Sequence, residues 1–327
     1  MPTGANLKQR KSPARDASLD LLKCVLVLGV ILFHSGFQRI STAEKEIVAH
    51  LQHFFSFVVL GFFWSAGYLM KPDAGSGSWA KNRGVRLLLP FLAVSMVNWL
   101  AFLLAESLSQ KEFGYAVSAR EFLEKILTLQ GVGPQMYFLP YLFFLQLAAG
   151  LVERVIGESK ALWLVAGMLL VGWMFLNPGH LPLGPAIQNL PLYLAALFLG
   201  MGCREWPAQR PVPTAPGLAL AVLAGCAFLP VGIAHALCCF LAPGLLYFSC
   251  RRLGAGVRWP GKSGDIFSVF IWHTPLLLPF FSILFTSVLP IPSFALIPTI
   301  LCATGVSVLL GRILGKTSMR AVFGAES

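Results

Sequence analysis

Apolar residues in this chain come in runs of about 20, separated by short stretches of glycine, proline and charge. That length suits a helix crossing the hydrocarbon core of a bilayer, about 30 Å at 1.5 Å per residue. Ten runs emerge, over 19–37, 52–70, 85–106, 136–152, 161–177, 188–202, 214–232, 233–250, 265–285 and 291–314. Most are apolar all round the helical wheel, as expected where lipid replaces water outside the fold. The expected fold class is therefore all-α, a polytopic transmembrane bundle of about ten helices. The pattern changes between 107 and 135. There Ser118 and Glu121 form a capping-box pair, and Phe122, Ile126 and Leu129 follow at helical spacing. This predicts an amphipathic helix lying on the outer surface. With no repeat and no soluble appendage, residues 1–327 are expected to form one membrane domain. It would carry cytoplasmic tails over 1–17 and 315–327.

Composition excludes a soluble protein: 56% of the 327 residues are hydrophobic and 12% charged, about half the charged share of soluble domains. Mean hydropathy is +0.73. The net charge of +11 does not point to nucleic acid, because it sorts by loop. If residue 1 is cytoplasmic and the runs alternate, 19 of the 25 Lys and Arg fall in cytoplasmic segments. The outer segments then hold Arg39, Lys45, Lys111, Arg120 and Lys125, and Lys23 lies within the first run. The positive-inside rule thus predicts ten crossings with both termini cytoplasmic. Lys8, Arg10, Lys11 and Arg15 before the first run resemble a signal-peptide n-region, but no A-x-A site follows, so the run reads as a retained helix. The seven cysteines, six of them in apolar runs, imply no disulfide framework.

Ionisable groups inside apolar runs are expensive, so the few present are candidates for function. Asp20 and Lys23, three apart in the first run, share a helix face and either neutralise each other or contact a ligand. His34 ends that run, where imidazole can accept a proton at physiological pH without being a permanent charge. His50 and His53 open the second run level with His34. Three histidines suggest a metal, yet no carboxylate or cysteine completes a set, so none is expected. His53 reads instead as a neighbour of the His34 site. His273 lies eight residues beyond Asp265, about 12 Å deeper, and either lines the same cavity or fixes a helix contact. His180 and His235, in or beside outer loops, read as structural. Arg83 and Arg86, where the third helix opens, share a face, a spacing suited to two guanidinium forks on phosphate oxygens or to simple anchoring.

Several stretches together resemble the membrane-bound acyltransferase-3 family, whose members acylate bacterial surface glycans. Leu19-Asp20-Leu21-Leu22-Lys23 with the later Phe33-His34-Ser35 resembles the family's L-D-x-L-R and F-H. His53-Phe54-Phe55 and Gly61 to Leu69 resemble its second helix; Arg83 to Pro90 matches R-x-x-R-L-x-x-P. Tyr137-Phe138-Leu139-Pro140 stands for W-Y/F-L-P, and Ile271-Trp272-His273-Thr274-Pro275 resembles the late histidine helix. Lys23 stands where arginine is usual, and Ala66 where serine is.

The resemblance implies transfer of an acyl group, expected to be acetyl, from cytoplasmic acyl-CoA to a hydroxyl of a glycan or lipid-linked sugar. It implies His34 as general base with His53 or His273 assisting, donor contacts from Arg83, Arg86, Asp20 and Lys23, and a place in the bacterial inner membrane among lipid. The competing reading is a transporter or flippase of an export system. Inverted repeats and paired broken helices would favour that reading, and inspection finds neither.

Overall fold

The computed structural model describes residues 16–35, 42–70, 74–109, 118–133, 135–157, 159–176, 189–204, 215–230, 233–253, 263–289 and 295–317. His180, the basic residues Lys8, Arg10, Lys11, Arg15, Arg39, Lys71, Lys111, Arg210, Arg258, Lys262 and Arg320, and the tails up to 15 and from 318 lie outside them.

Every regular element among these residues is helical. The helices are α1 (Ala17–Ser35), α2 (Thr42–Phe54), α3 (Val58–Tyr68), α4 (Gly77–Ser109), α5 (Ala119–Leu127), α6 (Phe138–Ile156), α7 (Lys160–Leu176) and α8 (Leu190–Gly202). After them come α9 (Ala215–Phe228), α10 (Ile233–Leu253), α11 (Ser263–Trp272), α12 (Leu278–Ile283) and α13 (Leu296–Gly315). Each apolar run is occupied by helix. Six stretches are long and apolar enough to cross a membrane by length and composition: Ala17–Ser35, Glu44–Tyr68, Gly77–Ser107, Phe138–Val155, Ala234–Arg252 and Leu296–Gly315. Four apolar helices, Lys160–Trp173, Leu190–Gly202, Ala215–Phe228 and Leu278–Val288, are shorter.

Three departures from the predicted runs have local causes. The second run starts earlier, because α2 begins at Thr42 and continues through a tight turn, Phe55–Phe57, into α3. Its polar start reads as loop, yet buried Glu44 accepts from the Leu296 backbone N–H at 3.1 Å and ties α2 to α13. Helix α4 also begins early, capped by the Ser76 hydroxyl, which accepts from the Trp79 N–H at 3.1 Å. Arg83 and Arg86 therefore lie in its second and third turns, as expected where the helix opens. The predicted continuous run over 265–285 is broken: wide turns cover His273–Leu277 and Leu284–Val288, and Thr274 is extended (φ −137°, ψ 152°). Thr274 precedes a proline, which disfavours the helical region for it and supplies no N–H of its own.

The helix expected between the third and fourth runs is α5. Its capping box is complete, with Ser118 N–H donating to Glu121 Oε2 at 2.8 Å and Glu121 N–H to Ser118 Oγ at 3.3 Å. Phe122 stacks on Trp99 of α4 with ring centroids 4.6 Å apart. Leu129, predicted on the same face, lies past the helix end with φ +60°.

The most extensive helix contacts are those of α8 with α3 and with α7. Where α3 crosses α8 the backbones nearly touch. A Cβ on Gly67 would lie 2.0 Å from the Leu197 carbonyl oxygen, and one on Gly200 2.0 Å from the Trp64 carbonyl oxygen. Small residues at such crossings let dispersion do the work that water exclusion does in soluble proteins.

Polar links mark the two ends of the bundle. At one end Tyr247 Oη donates to Asp16 Oδ2 at 2.8 Å and is hydrogen-bonded to Tyr68 Oη at 2.6 Å, joining the start of α1 to the ends of α3 and α10. Nearby, the buried Arg204 guanidinium pairs with Glu153 and donates to the Met70 carbonyl at 2.8 Å. At the other end Gln52 Nε2 donates to the Phe33 carbonyl at 2.6 Å, and His53 is hydrogen-bonded to the Leu229 carbonyl at 2.8 Å. That second end carries His34.

Candidate active site

The last turn of α1 opens onto a cavity of about 350 Å³ lined by His34, Ser56, Gln135, Asn189 and aromatic rings from Phe33, Phe55, Phe62, Tyr137, Phe138, Tyr193 and Phe270. Its walls are mainly apolar with a few convergent polar groups, the usual make-up of a ligand site. The long apolar sequence of α1 delivers His34 here because nineteen helical residues span about 28 Å, from Asp16 at one end of the bundle to the cavity at the other. Nearer the first end, Asp20 is buried and Lys23 half-buried.

Behind His34 lies His273. The two ring centroids are 5.5 Å apart with planes tilted by 46°. His273 is fully buried, and its Nδ1 faces the Val269 carbonyl at 2.9 Å. A carbonyl only accepts, so Nδ1 carries the hydrogen and Nε2 of the neutral ring is left with a lone pair. That Nε2 is buried with no hydrogen-bond partner among the described residues.

Gln135, which motif reading passes over, holds the broken turn beside it. Its Nε2 donates to the Thr274 carbonyl and, at 3.3 Å, to the Ile271 carbonyl. The stretch carrying Gln135 is pinned from α4 as well: Asn98 Nδ2 donates to the Val132 carbonyl at 2.8 Å, and Val132 N–H to Ser95 Oγ at 3.3 Å. Across the cavity Tyr137 and Tyr193 are hydrogen-bonded through their hydroxyls at 3.3 Å, with Tyr193 stacked on Phe63.

His53 is not among the cavity residues. Its ring stacks on His235 at 4.3 Å. Buried His235 in turn is hydrogen-bonded to Ser56 Oγ at 3.1 Å and to Cys239 Sγ at 3.5 Å. These contacts join α2 and the tight turn after it to α10, and only Ser56 reaches the cavity. His50 is exposed, bonded to the Glu46 carbonyl at 2.9 Å. Among the described residues no group of three or more His, Cys, Asp or Glu is placed to hold a metal.

The two arginines have different surroundings. Half-buried Arg83 donates through Nε to Gln146 Oε1 at 2.9 Å, and Gln146 Nε2 reaches the Ala66 carbonyl at 3.4 Å. Arg86 is exposed. Asp265 is paired with Arg312 of α13 through two bonds of 2.9 and 3.1 Å.

Ser56, Gln135, Asn189 and Tyr193 all line the cavity and belong to no motif noted in the sequence. The available signal was uncharged polar side chains at the edges of apolar runs, too common in membrane helices to single these out.

Comparison with curated proteins and with solved structures gives no match. Comparison with protein families does: a family model described as an acyltransferase domain matches residues 16–314, which include the whole cavity and both ends of the bundle. The polar site, the helical fold and this match over nearly the full chain lead to one conclusion: the chain belongs to the membrane acyltransferase-3 family.

Proposed function

We propose that this chain is an integral-membrane O-acyltransferase moving an acyl group, expected to be acetyl, from cytoplasmic acyl-CoA to a hydroxyl of an exported or cell-surface glycan. The observation that carries the reading is His34, an ionisable side chain opening on a cavity inside an apolar bundle, in a chain of an acyltransferase family. The proposed setting is the bacterial inner membrane, crossed ten times with both termini in the cytoplasm. The four shorter apolar helices then complete the crossings alongside the six long ones. The positive-inside count supports that orientation.

His34 acts as general base. A ring nitrogen takes the proton of the acceptor hydroxyl as that oxygen bonds to the thioester carbonyl carbon. The tetrahedral oxyanion then collapses, the C–S bond breaks, and the departing thiolate takes the proton back from His34. The products are the ester and free CoA. His273 supports the transient imidazolium with its unclaimed lone pair, and in the hydrogen-bonded Tyr137–Tyr193 pair the hydroxyl that does not donate to the other is the cavity donor toward developing negative charge. His53, stacked on His235, is left a structural role at the outer ends of α2 and α10.

The donor is a phosphate-rich anion, and Arg83, Arg86, Asp20 and Lys23 belong to the half of the bundle away from His34. Guanidinium forks suit phosphate, and Gln146 sets the plane of the Arg83 fork. His34 is 14 residues from Asp20, about 21 Å along α1, so an extended pantetheine arm would carry only the acyl end to the cavity. Incubating membranes with radiolabelled acetyl-CoA and following label into glycan tests the reading. His34→Ala is expected to abolish labelling while leaving folded protein in the membrane, and wild-type labelling by that variant would sink the assignment. A flippase would label nothing and would still move glycan.

A further inference from the structure

Gln135 presents two chemically different ends to two different neighbours. Its Nε2 is committed to carbonyls at the break of α11, those of Ile271 and Thr274. Both are pure acceptors, so the amide has one sensible orientation: nitrogen to the break, oxygen away from it. The oxygen left over, Oε1, is buried and has no hydrogen-bond partner among the described residues. Gln135 is 3% exposed and lines the His34 cavity. A buried acceptor without a partner is costly, and native structures rarely keep one without use. The cost here is sustained by rigid placement, since Ser95, Asn98 and the α11 break hold the stretch on both sides.

We propose that Gln135 is a substrate-binding residue of this cavity, its Oε1 accepting a hydrogen bond from an O–H or N–H of a bound substrate while its Nε2 clamps the turn that carries His273. The inference rests on the transferase reading and deepens it. The donor group belongs either to the acyl acceptor, as a sugar hydroxyl, or to the acyl donor, as an amide N–H of its pantetheine arm. One acceptor atom on a residue fixed in the wall of the His34 cavity selects a substrate pose in either case, because a misplaced substrate leaves both polar groups unpaired.

The experiment compares Gln135→Met, which removes acceptor and donor, with Gln135→Glu, which keeps an oxygen at the same position and loses the amide donor. Purified variants, matched for folded protein, are titrated with radiolabelled acetyl-CoA and with the envelope glycan fraction that wild type labels. Gln135→Met should raise one KM by about 5- to 150-fold, the range for a buried donor left unpaired, and Gln135→Glu should restore most of it. A rise against acetyl-CoA identifies the amide, and a rise against glycan the hydroxyl. Should Gln135→Met fail to fold, Gln135→Lys takes its place with the same expectation, because it can still donate to the two carbonyls but accepts nothing. If the acceptor-free variant and Gln135→Glu share the same KM for both substrates, Gln135 is only a clamp and the proposal is overturned. If wild type labels no glycan, the transferase reading falls and takes this with it.

Discussion

Replacing Gly200 by alanine tests the crossing on which the fold turns. The new Cβ would lie 2.0 Å from the Trp64 carbonyl oxygen, more than an ångström short of the 3.4 Å at which ordinary contact begins, and 2.9 Å from the Tyr68 nitrogen, also inside that limit. Both obstacles are backbone, so no side chain can swing away and α3 must separate from α8. A gap of 0.5–1 Å already forfeits a quarter to a half of each dispersion contact, and this is one of the two largest helix interfaces. Overpacking of a tight core costs about 1–3 kcal/mol, and a backbone clash belongs at or above the top of that range. Alanine's better helix propensity returns at most about 1 kcal/mol. The expected net loss is about 2–3 kcal/mol, roughly a 30- to 150-fold fall in the folded-to-unfolded ratio. Thermal unfolding in detergent, read as the amount of monodisperse protein surviving each temperature, measures it. The control is Gly305→Ala in α13, where nothing lies within 4 Å and alanine should be neutral or stabilising. Gly67→Ala should match Gly200→Ala, and the double variant should cost less than the two singles together, because separation of the helices occurs once. If Gly200→Ala survives as well as Gly305→Ala, the close crossing does not exist.

Other expectations concern charge. Arg83→Ala should raise the KM for acetyl-CoA without lowering the amount of inserted protein; an unchanged donor KM would remove Arg83 from the donor site. Arg204→Met leaves buried Glu153 without its partner and should cost about 3–5 kcal/mol, while Arg204→Met with Glu153→Leu should recover much of the loss. Equal thermal survival of the single and double variants would contradict that coupling. Hydrogen bonds from Ser118 hold the Glu121 carboxyl below its usual range. A depressed carboxyl stabilises α5 fully above its unfolded value and loses that contribution as pH falls through the lower folded value. A spin label at position 127 should therefore gain mobility in that acid window, and in Ser118→Ala the transition should move up toward the ordinary carboxylate range. An identical profile in both proteins would argue against the capping box.

The sequence by itself determined that the chain is helical and apolar, where its helices lie, and which few side chains deserve suspicion. Those properties follow from composition and period, which act over tens of residues: α1 and α6 begin and end within two to four residues of their apolar runs. The box at Ser118 and Glu121 was equally legible, being a contact between residues three apart. The pairing of His34 with His273, the diversion of His53 to His235, and the part played by Gln135 were decided by tertiary structure. Each depends on which helix stands beside which, and that is set by glycines such as Gly67 and Gly200 whose role is invisible until a facing backbone arrives. Polar start residues such as Glu44 likewise read as loop until a partner 252 positions away satisfies them. The physical reason is one of range: helix formation is local, whereas a membrane site is assembled from ends of helices far apart in the chain.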